Sequence, residues 1–415
     1  MNVPRTHLVK PPDTSNLLGS RTNWAEAALA AGDPIVAHLR MLSDHIGPRP
    51  AGSGEAVEAR RYVERTIRTL GGSPDVHPFP MVIPRYQQCT LVTDTGRVIP
   101  CLPALGSPAT LGVVRGIPTP SRDVAGGEAQ AGHEPGMLLC PIGPNPTSAY
   151  TRLAAERKAA GVILYHPDVP DLYSEVLPRR DDGVPCVTVR RTDAEWLVHE
   201  RPAVRLNVAR TPVKILCTNI VVELGEVGRP LLVVAHYDTR PRSPGALCNA
   251  SGVAILLELL SRLRGWTGPR ILLAFLDGEE LGAAGSKHCR DVLHVLGTLK
   301  RLRGVVYLSE MGLQSLAVLP PSRDGLSPRA SVAGQSNLVR IARRCAIEEK
   351  IQLCEQTSDP GDWTPIPPGV WPCPTIAFAS VPTSVRHTTA DLPVFIHPKH
   401  LLAAAAALDR LVRAS

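Results

Sequence analysis

The feature that most constrains this chain is the stretch from Leu231 to Arg290. Two continuous apolar runs, residues 231–235 and 271–276, read as buried strands of a parallel sheet. The first ends in His236-Tyr237-Asp238, the second in Asp277-Gly278-Glu279-Glu280. Between them lie a Pro/Gly loop, the segment Cys248-Asn249-Ala250-Ser251-Gly252 and an apolar helix. Polar, metal-competent side chains therefore stand at the carboxyl ends of two hydrophobic strands, where open α/β sheets place ligands.

The same alternation returns towards the end of the chain. Residues 304–309 read as a strand that stops at Glu310, 335–350 as a helix, 375–379 as a strand leading to His387, and 398–412 as a closing helix. Near the start, residues 24–44 and 55–70 read as helices around a turn rich in Gly and Pro, 47–54. A strand is expected near 76–82. The expected fold is α/β: a three-layer α/β/α arrangement around a mixed, mostly parallel sheet. Residues 88–212 differ in texture, with short β runs, many Gly and Pro, and one good helix at 148–160. Strands are expected there at 137–140, 161–165 and 185–189, with a short helix at 193–199. Since the main pattern resumes with a strand at 218–224, residues 88–212 read as a smaller β-rich α+β domain inserted into a domain built from 24–87 and 213–415. Residues 1–23 read as a flexible tail, and the Pro-rich loop 360–374 as a wall of the cleft.

Composition narrows the function classes. A chain of 415 residues can bury a sizeable core. Its net charge of +7 is not gathered into a Lys/Arg block, which argues against a nucleic-acid partner. There is neither the apolar run of a signal peptide at the N-terminus nor an apolar stretch of about 18 residues, so a cytoplasmic protein without membrane spans is expected. The 10 cysteines form no CxxC pair and no dense framework, which suits free thiols in a reducing compartment.

His236, Cys248, Glu280, Glu310 and His387 are all residue types that bind zinc. Asp238 lies two residues past His236, on the same side of an extended segment, and could hold the second imidazole nitrogen. Asp391, four residues past His387, could do the same for that ring. Adjacent Glu279 and Glu280 can divide labour, one binding metal and the other taking a proton from metal-bound water.

With these residues in place, the chain resembles the co-catalytic zinc aminopeptidases, the family of bacterial leucyl aminopeptidase, glutamate carboxypeptidase II, glutaminyl cyclase and transferrin receptor. The segments that carry the resemblance are His236-Tyr237-Asp238, the loop Pro244–Gly252, Glu279-Glu280, Leu308–Gly312 and His387–Asp391, with the turn Ile46–Gly54 ahead of them. The resemblance implies one or two zinc ions held by His236, Cys248, Glu280, Glu310 and His387, with Glu279 as general base and Asp238 as orienting carboxylate. Asp391, Arg386 and Asn249 would support the site or touch substrate. A peptide or amide is the implied substrate, and residues 88–212 resemble a protease-associated domain. Two positions depart from the pattern. The family's bridging Asp is Cys248 here. A carboxylate bridges two metals through two oxygens, whereas a thiolate has one sulfur, with bonds of about 2.3 Å to zinc. The residue before the last His is Arg386 where the family often has Tyr, and this cation could bind a substrate carboxylate or a developing oxyanion. Three readings follow: a metal-dependent hydrolase of the aminopeptidase type, a scaffold that kept the fold and lost the bridge, or a one-zinc enzyme of acyl transfer or cyclisation.

Overall fold

The computed structural model describes residues 32–121, 136–142, 147–167, 169–173, 175, 183–313, 315–319, 332–353, 366, 369–380 and 385–414. The expected tail 1–23, the start of the helix at 24–44 and most of the loop 360–374 lie outside them.

The chain opens with α1 (Pro34–Arg40), capped by Asp33, whose Oδ1 accepts from Ile35 N, and continued by a wide turn at Met41–Ile46. Helix α2 (Gly54–Thr69) starts at Ser53, whose hydroxyl accepts from Ala56 N. Strand β1 (Asp75–Thr93) follows. Next come β2 (Val98–Ile99), β3 (Cys101–Pro103), β4 (Val114–Gly116), β5 (Pro118–Pro120), β6 (Met137–Pro141), α3 (Thr147–Glu156), β7 (Gly161–Tyr165), β8 (Cys186–Val189) and α4 (Arg191–Glu200). The return strand β9 (Val204–Leu224) pairs antiparallel with β1 along nearly its whole length. Then come β10 (Val227–His236), α5 (Ser251–Arg262), β11 (Pro269–Leu276), α6 (Ala284–Val295), β12 (Gly304–Ser309), β13 (Ser315–Leu319), α7 (Val332–Glu348), β14 (Gln352–Leu353), β15 (Thr375–Ser380) and α8 (Pro398–Ala414).

The large sheet runs β14-β13-β15-β12-β10-β11-β9-β1-β2, with β4 also on β9. Its centre is parallel: β15 on β12, β12 on β10, β10 on β11. Antiparallel β9 and β1 on one flank, and β13 beside β15 on the other, make the sheet mixed as expected. The central strands are continuous apolar runs because both of their faces are covered. Leu231, Val233 and Ala235 point into one core, shared with α1, α2, α5, α7 and α8. Leu232 and Val234 point into the other, shared with α6 and Trp371. A second sheet, β3-β8-β7-β6-β5, has cores of its own and lies between β1 and β9 in sequence. The expected limits at 88 and 212 fall inside β1 and β9, which run through them unbroken.

Beyond β9, the first part of β1 is the edge of the large sheet. Pro78, Pro80 and Pro84 pair with Thr218, Leu216 and Pro212. All three share one parity, so their missing N–H groups fall on a single side, the side away from β9. Prolines so placed blunt an edge that would otherwise recruit another strand. Among the described residues, no helix is long and apolar enough to cross a membrane.

Candidate metal centre

Strand β10 delivers His236 at its last position, and the loop that follows is held by a buried arginine from the N-terminal turn. Arg49 is fully buried. Its Nε donates to Tyr237 O at 2.6 Å. The other guanidinium nitrogens donate to Leu42 O and Gly47 O at 3.0 Å, to Pro244 O at 2.6 Å and to Gly245 O at 3.0 Å. Gly245 sits at φ +62°, and a Cβ there would lie 2.3 Å from Thr239 Cγ2 and 2.6 Å from Cys248 O, so this turn requires glycine. Asp391 secures the far end of the loop: its carboxylate accepts from Leu247 N at 2.6 Å and Cys248 N at 3.2 Å. The peptide Cys248-Asn249 is cis. Asn249 Nδ2 donates to Leu308 O at 2.7 Å and so fastens the loop to β12.

The thiol thus held lies among three other donors. Cys248 Sγ is 3.9 Å from His236 Nε2, 3.3 Å from Glu280 Oε1 and 3.4 Å from His387 Nε2. His387 Nε2 is 3.1 Å from Glu280 Oε1. Donor atoms of His236, Cys248 and Glu280 all lie within 4.8 Å of one another. Zinc bonds of about 2.0–2.3 Å in a tetrahedron separate neighbouring ligand atoms by about 3.3–3.7 Å. The Cys248 thiol, the Glu280 carboxylate and the His387 imidazole stand at spacings that suit one zinc ion, with His236 Nε2 a little farther from the thiol.

Charge at the site is tightly matched. Asp238, fully buried, accepts from the backbone N–H of Glu279 at 3.1 Å and of Glu280 at 3.0 Å, and its Oδ1 lies 3.3 Å from His236 Nδ1. Burial opposes protonation of His236, but its hydrogen bonds to Asp238 and Cys248 outweigh that and raise its pKa. Burial and the neighbouring Arg386 lower the pKa of His387 to about 3, which keeps the ring neutral, as a ligand must be. Burial, then the Glu280 charge, pushes the Cys248 thiol up to about 12. Burial would raise Glu280 too, yet His387 and Arg240 hold it well below the usual carboxylate range.

Other residues lie around this centre. The Glu279 carboxylate accepts from Ser286 N at 3.0 Å and Ser286 Oγ at 2.7 Å, and burial raises its pKa. Ser286 Oγ lies 2.6 Å from Tyr307 OH, to which Trp371 Nε1 donates. Glu310 follows β12 and is fully buried, with its Oε1 2.8 Å from Arg386 Nε. Glu310 (φ 53°) and His387 (φ 61°) both hold left-handed backbone, a strained state that gathers at functional sites.

The structure therefore brings His236, Cys248, Glu280 and His387 to one point, with Asp238 behind His236 as its spacing suggests. Glu310, the fifth expected ligand, is not among them, and Asp391 also departs from expectation. Asp391 grips the Cys248 loop rather than the His387 ring; the group facing His387 Nδ1 is Tyr173 OH, at 3.3 Å. Arg386 lies against Glu310, its Nε 2.8 Å from Oε1. Three partners had no expectation attached. Tyr173 comes from between β7 and β8, Arg240 pairs with Glu280, and Ser286 clamps Glu279. Arg240 alone left a local signal, lying two residues past Asp238.

A parallel-centred α/β sheet with imidazole, thiol and carboxylate donors at its strand ends defines a zinc-exopeptidase-like architecture. Residues 219–407 match the model of Peptidase family M28. It is similar to Aminopeptidase YwaD of Bacillus subtilis (strain 168), 27% identical over 267 residues, which are 61% of this chain and 56% of that protein. The match thus spans little more than half of that relative's length. Among solved structures, a zinc aminopeptidase from Bacillus subtilis superposes with a TM-score of 0.73 at 22% identity, over 92% of this chain and 94% of that one. An aminopeptidase from Aneurinibacillus sp. strain AM-1 does so with a TM-score of 0.66 at 20% identity, over 96% and 95%. At these identities the solved structures establish the fold.

Proposed function

We propose that this chain is a metal-dependent hydrolase of peptide or amide bonds, acting on the amino-terminal side of small peptides as aminopeptidases do. The observation that carries this reading is the donor set of His236, Cys248, Glu280 and His387 around one point, with Glu279 clamped beside it. The family match and the similarity to an aminopeptidase support it. Zinc is the ion this donor set suits, and when bound it would supply Lewis acidity, polarising a carbonyl and making water easier to deprotonate. His236, Cys248, Glu280 and His387 would hold it. Glu279 takes the proton of the attacking water on a carboxylate oxygen and returns it to the leaving amine. Ser286 fixes that carboxylate, and the raised pKa from burial suits a group that must both accept and give a proton. Asp238 orients the imidazole of His236 and, through two backbone N–H groups, the whole Glu279-Glu280 turn.

The module between β1 and β9 is part of the proposal as a protease-associated-like domain that completes the cleft; the reach of Tyr173 to His387 supports this. Cytoplasmic residence is proposed from the nine described cysteines, all unpaired.

A second reading, a binding protein without catalysis, draws on Arg240 and Arg386 sitting against Glu280 and Glu310. One experiment separates the two. Purified protein is assayed with aminoacyl p-nitroanilides before and after chelation, alongside Glu279→Gln. The hydrolase reading expects turnover that chelation removes and zinc restores, and a drop of about 10²–10⁴-fold in Glu279→Gln at unchanged metal content. Absence of bound metal and of turnover across a panel of aminoacyl and dipeptide substrates would favour the binding protein.

A further inference from the structure

The five residues singled out as ligands do not behave alike in the folded chain. Four of them converge: Cys248 Sγ lies 3.3–3.9 Å from donor atoms of Glu280, His387 and His236. The fifth, Glu310, is turned to a cation that the chain itself supplies. Its Oε1 lies 2.8 Å from Arg386 Nε, and it is fully buried while the Arg386 side chain is 26% exposed. We propose that the chain holds one metal ion, at Cys248 among His236, Glu280 and His387, and that the Arg386 guanidinium paired with Glu310 replaces a second ion with a fixed positive charge. The inference rests on the metal-site reading above and deepens it.

Two observations agree. A sulfur offers one donor atom, so Cys248 cannot share itself between two ions through separate atoms as a carboxylate can. An arginine is permanently charged and cannot be titrated away from its carboxylate, so Glu310 Oε1 faces a cation before any ion arrives. Arg386 then plays a lasting electrostatic part beside the ion, with a partly exposed face available to a group that gains negative charge during reaction.

The test is metal stoichiometry, which does not depend on activity. The full chain is dialysed against excess zinc, desalted, and measured by elemental analysis and native mass spectrometry. One zinc per chain is expected. In Arg386→Met, which releases Glu310, a second zinc is expected; in Arg386→Lys the count should stay at one. Glu310→Gln covers the case in which Arg386→Met does not fold. Because Glu310 is not a ligand in this scheme, that variant should keep one zinc with affinity within about threefold of the parent. Cobalt-loaded protein should show a thiolate-to-metal charge-transfer band that disappears in Cys248→Ser, which places the ion at Cys248. Two zincs in the parent, loss of the ion in Glu310→Gln, or a cobalt spectrum indifferent to Cys248 would each overturn the inference. So would a folded Arg386→Met that binds one zinc. Absence of any bound ion in the parent would instead refute the metal-site reading itself.

Discussion

Replacing Arg49 by Met should cost this protein much of its stability. The guanidinium is fully buried and spends its donors on five carbonyls drawn from three segments: the wide turn after α1, the end of β10 and the Cys248 loop. Two of these acceptors have a second donor, since Leu42 O also receives Gly47 N and Gly245 O also receives Ala250 N. The carbonyls of Gly47, Tyr237 and Pro244 depend on Arg49 among the described residues. A buried acceptor left without its donor costs about 1–3 kcal/mol, and some relief comes from no longer burying a cation, whose pKa burial has already lowered to about 10. Taking the lower half of that range for three carbonyls gives a loss of about 3–6 kcal/mol for Arg49→Met. Arg49→Lys keeps the charge but cannot reach three segments from one nitrogen, and should lose about 2 kcal/mol. Urea unfolding followed by tryptophan fluorescence and far-UV circular dichroism reads both values from the midpoints. Arg49→Met within about 1 kcal/mol of the parent would mean that the guanidinium is a passenger, and that water or backbone relaxation satisfies those carbonyls.

Three further outcomes are expected. With His387 Nε2 on an ion, its Nδ1 would carry the proton and face Tyr173 OH at 3.3 Å as donor. Tyr173→Phe should therefore weaken zinc affinity about 5–10-fold in a chelator competition, and an unchanged affinity would detach Tyr173 from the site. Cys248→Ser should bind zinc more weakly, and in the parent the thiol should resist alkylation until a chelator is added; equal alkylation with and without chelator would deny it a ligand role. His38, whose Nδ1 lies 2.6 Å from Tyr62 OH, has its pKa lowered to about 4 by burial. Because the unfolded chain binds that proton first, the His38 contribution is intact above about pH 6.5 and is lost as pH falls towards 4, a loss of about 1–2 kcal/mol between about pH 7 and pH 5. His38→Gln should lose correspondingly less stability over that interval, and identical acid sensitivity in parent and variant would remove His38 as a cause.

How much of this could be read beforehand depended on locality. The strand at Gly304–Ser309 was legible to the residue, and those at β10, β11 and β15 to within a few, because strands covered on both faces are continuous apolar runs. The long pair β1 and β9 was legible only at 76–82 and 218–224; its continuation was not, since Pro84 and Pro212 argue against strand locally and only the pairing partner reveals their harmless place. Residues placed at strand ends, such as His236, Glu280 and Glu310, declared themselves by position. Tyr173 could not, being 214 residues from the ring it faces. Nor could the turn of Arg386 onto Glu310, because sequence does not fix the direction of a long side chain. The role of Arg49 was hidden for the same reason: its acceptors lie as far as 196 positions along the chain.

The ladder between β1 and β9 has a mechanical meaning. It runs from the Asp75–Val221 pair in the large sheet to the Thr93–Val204 pair beside the smaller one, with a single irregularity between Tyr86 and Gln88. The segment that carries Tyr173 is thus joined to the main body by a twisted two-stranded beam rather than a string. A string would let the module wander and would leave the Tyr173–His387 contact to chance. A beam transmits bending, and sliding one strand by one residue would invert every side chain along it. Movement between the two parts should therefore concentrate at the Tyr86–Gln88 irregularity, the only joint the ladder provides among the described residues.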